Sequence, residues 1–145
     1  MRRATHDDIA ALIELGRPFI AAHPVLRGVV ITDDQLQSVL TNVIDQGVII
    51  VAESLDGSLV GMLAGMVAPM WCAPETLCAT ELAWWMKPGN RHGMTAVRMV
   101  RDFEEWAEQQ NATHTVMSSI PQMGQRAGNL IERLGYKHIE NAYIR

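Results

Sequence analysis

The stretch "RHGMTAVRMV", Arg91–Val100, decides how this chain folds. It follows the apolar run "ELAWWMKP", residues 81–88, and leads into residues 95–110, where apolar side chains recur at helical spacing. The stretch therefore predicts a strand that turns into a helix. A helix N-terminus offers unpaired backbone N–H groups and a partial positive charge to an anion, and Gly93 and Ala96 would let a ligand approach closely. The turn is either an anion-binding loop or only a helix cap.

The rest of the chain alternates strand and helix patterns on both sides of this turn. Two helices are predicted by capping boxes, in which a threonine is followed three residues later by a carboxylate or amide: Thr5 with Asp8, and Thr32 with Gln35. Asp56-Gly57 predicts a tight hairpin turn. The predicted elements are strand 1–4, helix 6–23, helix 33–46, strand 47–54, strand 59–68, strand 76–87, helix 95–110, strand 113–120, helix 125–136 and strand 137–145.

This order predicts an α/β (α+β) fold, with helices on both faces of a mixed sheet. The 145 residues are expected to form a single domain, 1–145, because that length buries a sufficient core. Apolar residues make up 48% and charged residues 19%, which is typical of a globular protein. A final strand that is short for a closing hairpin predicts one strand there or an exchange with a partner subunit, which would make a homodimer.

Composition also bounds the function. The net charge of −4 argues against a nucleic-acid partner, since such domains usually carry a basic stripe. Cys72 and Cys78 lack the spacing of a zinc site or a disulfide framework, so no metal is expected and a reduced, cytoplasmic setting is the simplest interpretation. The N-terminus lacks a signal-peptide pattern, and the longest apolar run, residues 59–71, is too short to span a bilayer. No membrane association is expected.

The element order and residues 81–107 resemble the GNAT superfamily of acyl-CoA N-acyltransferases. The central motif of that family is Gln/Arg-x-x-Gly-x-Gly/Ala, between its fourth strand and third helix. Here residues 91–96, "RHGMTA", keep the arginine and the final small residue, and Pro88 precedes the arginine as in the family. Met94 stands where the inner glycine would be, and Gly93 lies one position early. The resemblance implies a mixed, mostly antiparallel sheet of six or seven strands flanked by about four helices.

The resemblance also implies acetyl-CoA as co-substrate. The loop amides and Arg91 would hold the phosphates, and the backbone of the preceding strand, which splays from its neighbour, would pair with the pantetheine arm. Trp84-Trp85 should put one indole on each face of the sheet. The residues expected to bind acetyl-CoA are Trp84, Trp85, Met86, Arg91, His92, Gly93, Met94, Thr95 and Ala96.

Glu81 is the expected catalytic base. Several small-molecule members of the family carry a glutamate at this place, where it accepts the amine proton, often through water. The apolar strand around Glu81 should desolvate its carboxylate and raise its pKa toward a useful value. The alternative is a solvent-facing strand residue or an ion-pair partner.

The last helix departs from the family pattern. Ile131 stands where many members have a tyrosine acid, and Gly124 stands where an asparagine is often seen. The acid is therefore absent, replaced by water, or supplied by another residue, for which Tyr136, Tyr143 and Ser118 are the candidates. Its loss need not abolish turnover, because a thiolate is already a fair leaving group near pH 8.

The sequence predicts an acetyl-CoA-dependent N-acetyltransferase that transfers acetyl directly to a primary amine of a small molecule, a peptide or a protein. The alternatives are a non-catalytic acyl-CoA-binding module and an interaction domain that has kept only the fold. The first helix and residues 23–30, "HPVLRGVV", should form part of the acceptor wall, as their family counterparts do. The sequence does not identify the acceptor.

Overall fold

A five-stranded sheet, in the spatial order β1-β2-β3-β4-β5, is the frame of the computed structural model, which describes residues 1–91 and 94–144. The same residues form four α-helices, of which the first three lie between strands and the fourth follows the last strand. The bounds are β1 Arg2–Arg3, α1 Ile9–Ala22, α2 Asp33–Gln46, β2 Val48–Glu53, β3 Leu59–Met70, β4 Ala73–Met86, α3 Thr95–Gln109, β5 His114–Val116 and α4 Arg126–Arg133.

The sheet is mixed and mostly antiparallel, as the sequence predicts. Strands β1 to β4 pair antiparallel with their neighbours, and β5 pairs parallel with β4. Both capping boxes are present, at Thr5 and at Thr32. Gly57 takes φ 83° in the turn between β2 and β3, a conformation that glycine adopts without steric cost. Thr5 thus begins a 3-10 turn, His6–Asp8, that leads into α1, Thr32 begins α2, and Asp56-Gly57 forms the first hairpin turn.

Helices cover both faces of the sheet because its strands are apolar on both. Helices α1 and α2 pack on one face, with a core of Leu12, Leu15, Val43, Ile49, Val51, Leu59, Met62, Ala64 and Trp85. Helix α3 packs on the other face, with a core of Val48, Ile50, Ala52, Val60, Leu63, Ala79, Met86, Met99, Val100, Phe103, Trp106 and Ala107. Trp84 packs against the α3 core and Trp85 against the α1–α2 core, so the two indoles lie on opposite faces as predicted.

The number of strands is lower than predicted. The described residues form five strands rather than six or seven, and the strand predicted over residues 137–145 is absent from residues 137–144. Strand β5 covers only His114–Val116 of the predicted 113–120. A three-residue edge offers few backbone groups to a further strand, which explains why the final segment does not join the sheet. Helix α4 is also shorter than its predicted 125–136.

A bulge lies in β4 beside the predicted base. Ala64 pairs with Ala83 and Gly65 with Glu81, so Leu82 is the extra residue opposite β3. Gly65 is glycine because the Phe103 ring lies against it: an added Cβ would stand 2.4 Å from Phe103 Cε2. This close approach fixes α3 against the middle of the sheet, next to the bulge.

None of the helices in residues 1–91 and 94–144 is both long and apolar enough to cross a membrane. Within the same residues, no three His, Cys, Asp or Glu side chains lie close enough together to hold a metal ion.

Candidate active site

A cleft opens where β4 and β5 part. The two strands pair only over Cys78–Thr80 and His114–Val116, whereas β4 continues to Met86 with β3 as its sheet partner. On its other side, the end of β4 therefore has no strand partner among the described residues. The cleft has a volume of about 1630 Å³, and its lining includes Phe19, His23, Glu81, Leu82, Trp84, Trp85, Met86, Arg91, Met94, Ala96, Ser118, Ser119, Ile120, Met123, Arg126, Asn129, Glu132 and Arg133.

Glu81 borders this cleft and is the buried charged residue among those described, with 8% of its surface exposed. Its Oε2 accepts a hydrogen bond of 3.1 Å from the backbone N–H of Ser118, in the segment after β5. Neither of the alternatives for Glu81 agrees with this placement, because the side chain is not solvent-facing and forms no ion pair within the described residues.

Burial raises the pKa of Glu81 to about 7, and the hydrogen bonds from Ser118 oppose that rise. Desolvation penalises the carboxylate more than one backbone N–H stabilises it, so the first effect wins. A carboxyl group with this pKa exchanges protons near neutral pH, which is what a general base requires. The position and the titration of Glu81 are thus both suited to proton transfer.

Arg91 closes one end of the cleft. Its Nε donates a hydrogen bond of 2.8 Å to the carbonyl oxygen of Met86, the last residue of β4. Its guanidinium carbon lies 4.2 Å from the centroid of the Trp85 ring, at a distance typical of a cation–π contact. Arg91 therefore caps the unpaired end of β4, while its charge stays at the cleft.

The predicted phosphate loop is described only in part. His92 and Gly93 lie outside the described residues. Met94 and Ala96 both border the cleft, and Met94 is 60% exposed. Thr95 begins α3, and it is not among the residues that line the cleft. The first turn of α3 thus borders the cleft, and its binding of an anion stays a prediction.

The three candidate acids lie in different places. Ser118 borders the cleft. The Tyr136 side chain packs against the α3 core instead, where burial and the nearby Glu104 raise the pKa of its hydroxyl above the ordinary value. Tyr143 is 91% exposed, and neither tyrosine lines the cleft. Ile131 is buried and likewise does not line it.

Two groups of cleft residues were not singled out from the sequence. Arg126, Asn129 and Arg133 share one face of α4, and their spacing of three and four residues is the signal that would have found them. Phe19 in α1 and His23 directly after this helix also line the cleft. The sequence predicted that α1 and residues 23–30 form part of the acceptor wall but did not indicate which side chains do so.

Comparison with known proteins identifies the fold. No protein-family model and no curated protein matches the sequence. A predicted acetyltransferase from Clostridium acetobutylicum, solved with acetyl-CoA, superposes with a TM-score of 0.78 at 14% identity, over 99% of this chain and 93% of its own. A ribosomal-protein-alanine N-acetyltransferase from Brucella melitensis biovar Abortus 2308 gives a TM-score of 0.74 at 14% identity, over 99% and 96%. The chain has the GNAT fold.

A third GNAT structure is the aminoglycoside N-acetyltransferase AAC(6')-Iy in complex with CoA. It gives a TM-score of 0.79 at 13% identity, over 99% of this chain and 91% of its own. The match to these structures extends over nearly the whole chain, so the GNAT fold is kept even though the closing strands are missing from the described residues. At these identities the likeness fixes the fold alone.

Proposed function

We propose that this chain is an acetyl-CoA-dependent N-acetyltransferase that transfers acetyl directly to the primary amine of a small molecule, a peptide or a protein. The observation that carries the proposal is the buried Glu81 carboxylate, which borders a cleft at the unpaired end of β4. A buried carboxylate costs folding free energy, and in a cleft it suggests a function.

The cleft suits acetyl-CoA in two ways. The backbone of β4 from Leu82 to Met86 lacks a strand partner on the cleft side within the described residues, so it has groups to offer the amides of a pantetheine arm. The start of α3 and Arg91 supply positive charge for phosphates at the same end. Trp84, Trp85, Met86, Arg91, Met94 and Ala96 would hold the co-substrate; His92, Gly93 and Thr95 are proposed with them from the sequence motif.

Glu81 would accept the proton of the acceptor amine. Acetyl-CoA supplies an acetyl thioester, so the amine nitrogen forms the new amide bond, the C–S bond breaks with its electron pair on sulfur, and the amine proton passes to Glu81. The N–H of Ser118 would orient the carboxylate for this transfer. Of the three candidate acids, Ser118 is the one that borders the cleft.

Two measurements test the proposal. Calorimetry with acetyl-CoA measures binding, and thiol release with a panel of amines measures turnover; the panel should include an aminoglycoside, a polyamine, an aromatic monoamine and a peptide with a free N-terminal alanine. The AAC(6')-Iy and ribosomal-protein-alanine neighbours motivate the first and last of these. Binding with turnover supports the enzyme. Binding without turnover of any amine supports the non-catalytic module instead, and no binding overturns both.

A further inference from the structure

The wall of the cleft at the end of α1 is aromatic and apolar. Phe19 lies 5.8 Å from Trp85 and 5.6 Å from His23, measured between ring centroids. We call these three residues the aromatic wall. Leu82, Ile120 and Met123 border the same cleft, and Leu82 in the bulge is 50% exposed. Phe19 meets His23 edge-on and Trp85 at a tilt. A cleft lined by such rings and by exposed apolar side chains offers a surface that flat apolar groups bind by burial and ring contact.

Negative charge is scarce in the cleft. Glu81 and Glu132 are the acidic residues that line it within the described part of the chain, whereas Arg91, Arg126 and Arg133 line it with positive charge. Burial holds the pKa of Glu81 at about 7, so near neutral pH it carries only part of a charge. Glu132 lies on α4 next to Arg133 in sequence. Several ammonium groups on one ligand would lose their hydration on binding, and the cleft has few carboxylates to compensate for that loss.

His23 adds no negative charge to the aromatic wall. Its Nδ1 accepts hydrogen bonds from the backbone N–H groups of Val25 and Leu26, at 3.2 and 3.3 Å. These bonds hold the ring in place against Phe19.

We infer that the acceptor is a small amine with a single positive charge and a flat apolar or aromatic body, such as an arylalkylamine, rather than a polycation. This inference rests on the proposed function. The body of the acceptor contacts the aromatic wall. Its ammonium group first loses one proton to solvent, and the neutral amine passes a second proton to Glu81 as the amide bond forms. The choice follows from the local lining and not from the net charge of −4, which counts the charged residues of the whole chain.

The test compares four amines at fixed acetyl-CoA concentration: phenethylamine, n-butylamine, spermidine and neamine. Thiol release gives kcat/KM for each. We expect phenethylamine to exceed spermidine and neamine by at least about tenfold, which corresponds to ~1.4 kcal/mol of transition-state binding. Equal or faster acetylation of spermidine or neamine overturns the inference and leaves the proposed function standing. Failure to bind acetyl-CoA overturns both, and so does acetyl-CoA binding without thiol release from any amine.

Three variants test the lining of the cleft, two of them in the aromatic wall. Phe19→Ala should raise the KM for phenethylamine about tenfold, because the phenyl group of this amine contacts the aromatic wall. The KM for n-butylamine, which has no ring, should stay within about threefold of the parent value. Phe19→Leu should restore part of the loss, and acetyl-CoA affinity should not change in either variant. Met123→Glu, which adds a carboxylate to the cleft, should raise kcat/KM for spermidine relative to phenethylamine. If the ratios of kcat/KM between the amines stay at the parent values in both Phe19→Ala and Met123→Glu, the inference is overturned.

Discussion

The backbone N–H of Ser118 and the Oε2 of Glu81 are joined by a hydrogen bond of 3.1 Å across the opening between β4 and the segment after β5. This bond orients a carboxylate that is otherwise desolvated. The donor lies in the segment directly after β5, so the orientation of the Glu81 carboxylate depends on the same parting of strands that forms the cleft. The geometry of the cleft and the chemistry of Glu81 are therefore parts of one arrangement.

Glu81→Gln should lower kcat by roughly 10²–10⁴-fold, because glutamine keeps the size and polarity of the side chain but cannot accept the amine proton. Acetyl-CoA affinity in calorimetry should stay nearly constant. The loss should shrink at high pH, where more of the acceptor is already neutral. Steady-state thiol release from pH 6 to 9 measures all of this.

The matched control is Glu132→Gln, which removes a second carboxylate from the lining of the same cleft. Its kcat should change by less than about threefold, since it leaves Glu81 in place. A Glu81→Gln variant with the kcat and pH profile of the parent would show that another group takes the proton.

The pH–rate profile of the parent should rise through an apparent pKa near 7, the value that burial gives Glu81. Above this pH the carboxylate is ionised and can act as a base, and below it the group is protonated and inactive. The pH–rate profile of Glu81→Gln should lack this rising limb near pH 7. A parent profile with no limb between pH 6 and 8 would contradict the assignment.

Stability should depend on pH through the same group. The pKa of Glu81 is higher in the folded chain than its ordinary value of 4.5, so the folded state binds more protons between these values. Its contribution to stability is present below pH 4.5 and is lost as the pH rises through 7, by on the order of 3 kcal/mol. The free energy of unfolding of Glu81→Gln minus that of the parent should therefore be larger at pH 8 than at pH 5, as measured by chemical denaturation. A difference that is the same at both pH values would contradict this.

Ala96→Leu should weaken acetyl-CoA binding by at least about tenfold, or ~1.4 kcal/mol. Ala96 is partly buried in the first turn of α3 and borders the cleft, so a larger side chain would keep the phosphates from the helix amides. The control is Ala10→Leu on the exposed surface of α1, which should leave the Kd unchanged. If Ala96→Leu and Ala10→Leu are both folded and bind acetyl-CoA with the same affinity in calorimetry, this turn is not part of the binding site.

Gly65→Ala should destabilise the fold by roughly 1–3 kcal/mol, because its Cβ would overlap the Phe103 ring. Gly28→Ala is the control, since an added Cβ there meets nothing within 4 Å. Combining Gly65→Ala with Phe103→Leu should restore part of the loss relative to the sum of the single changes. Denaturant midpoints measure the four variants, and additive losses would mean that the two side chains do not interact.

Much of the fold could be predicted because its signals are local. The capping boxes at Thr5 and Thr32, the Asp56-Gly57 turn and the helical spacing after Thr95 each specify an element within a few residues. The prediction of a last strand was wrong for residues 137–144. The alternating pattern of this segment is compatible with a strand, but a strand also needs a neighbour, and β5 is too short to provide one.

The sequence could predict those cleft residues that lie on β4 or on α3, the next helix along the chain. Glu81 and Ala96 are examples, and both line the cleft. The hydrogen bond from Ser118 could not be foreseen, because it joins residues 37 positions apart through a backbone group that has no sequence signal. The contact of Arg91 with Trp85 was also not predicted, because the motif assigns the arginine to phosphates and does not indicate that the two side chains meet. Side chains that meet only through tertiary packing were the ones missed.

The contact between Gly65 and Phe103 has a consequence for how acceptor choice can evolve. Phe103 belongs to the helix whose first turn borders the cleft, and Gly65 pairs with Glu81 across the sheet. The proposed proton acceptor and the proposed phosphate-binding turn are therefore held in one rigid block, in which a change to either part disturbs the other. Phe19, His23 and Met123 lie outside this block, so substitutions there can alter the acceptor while the chemistry stays intact.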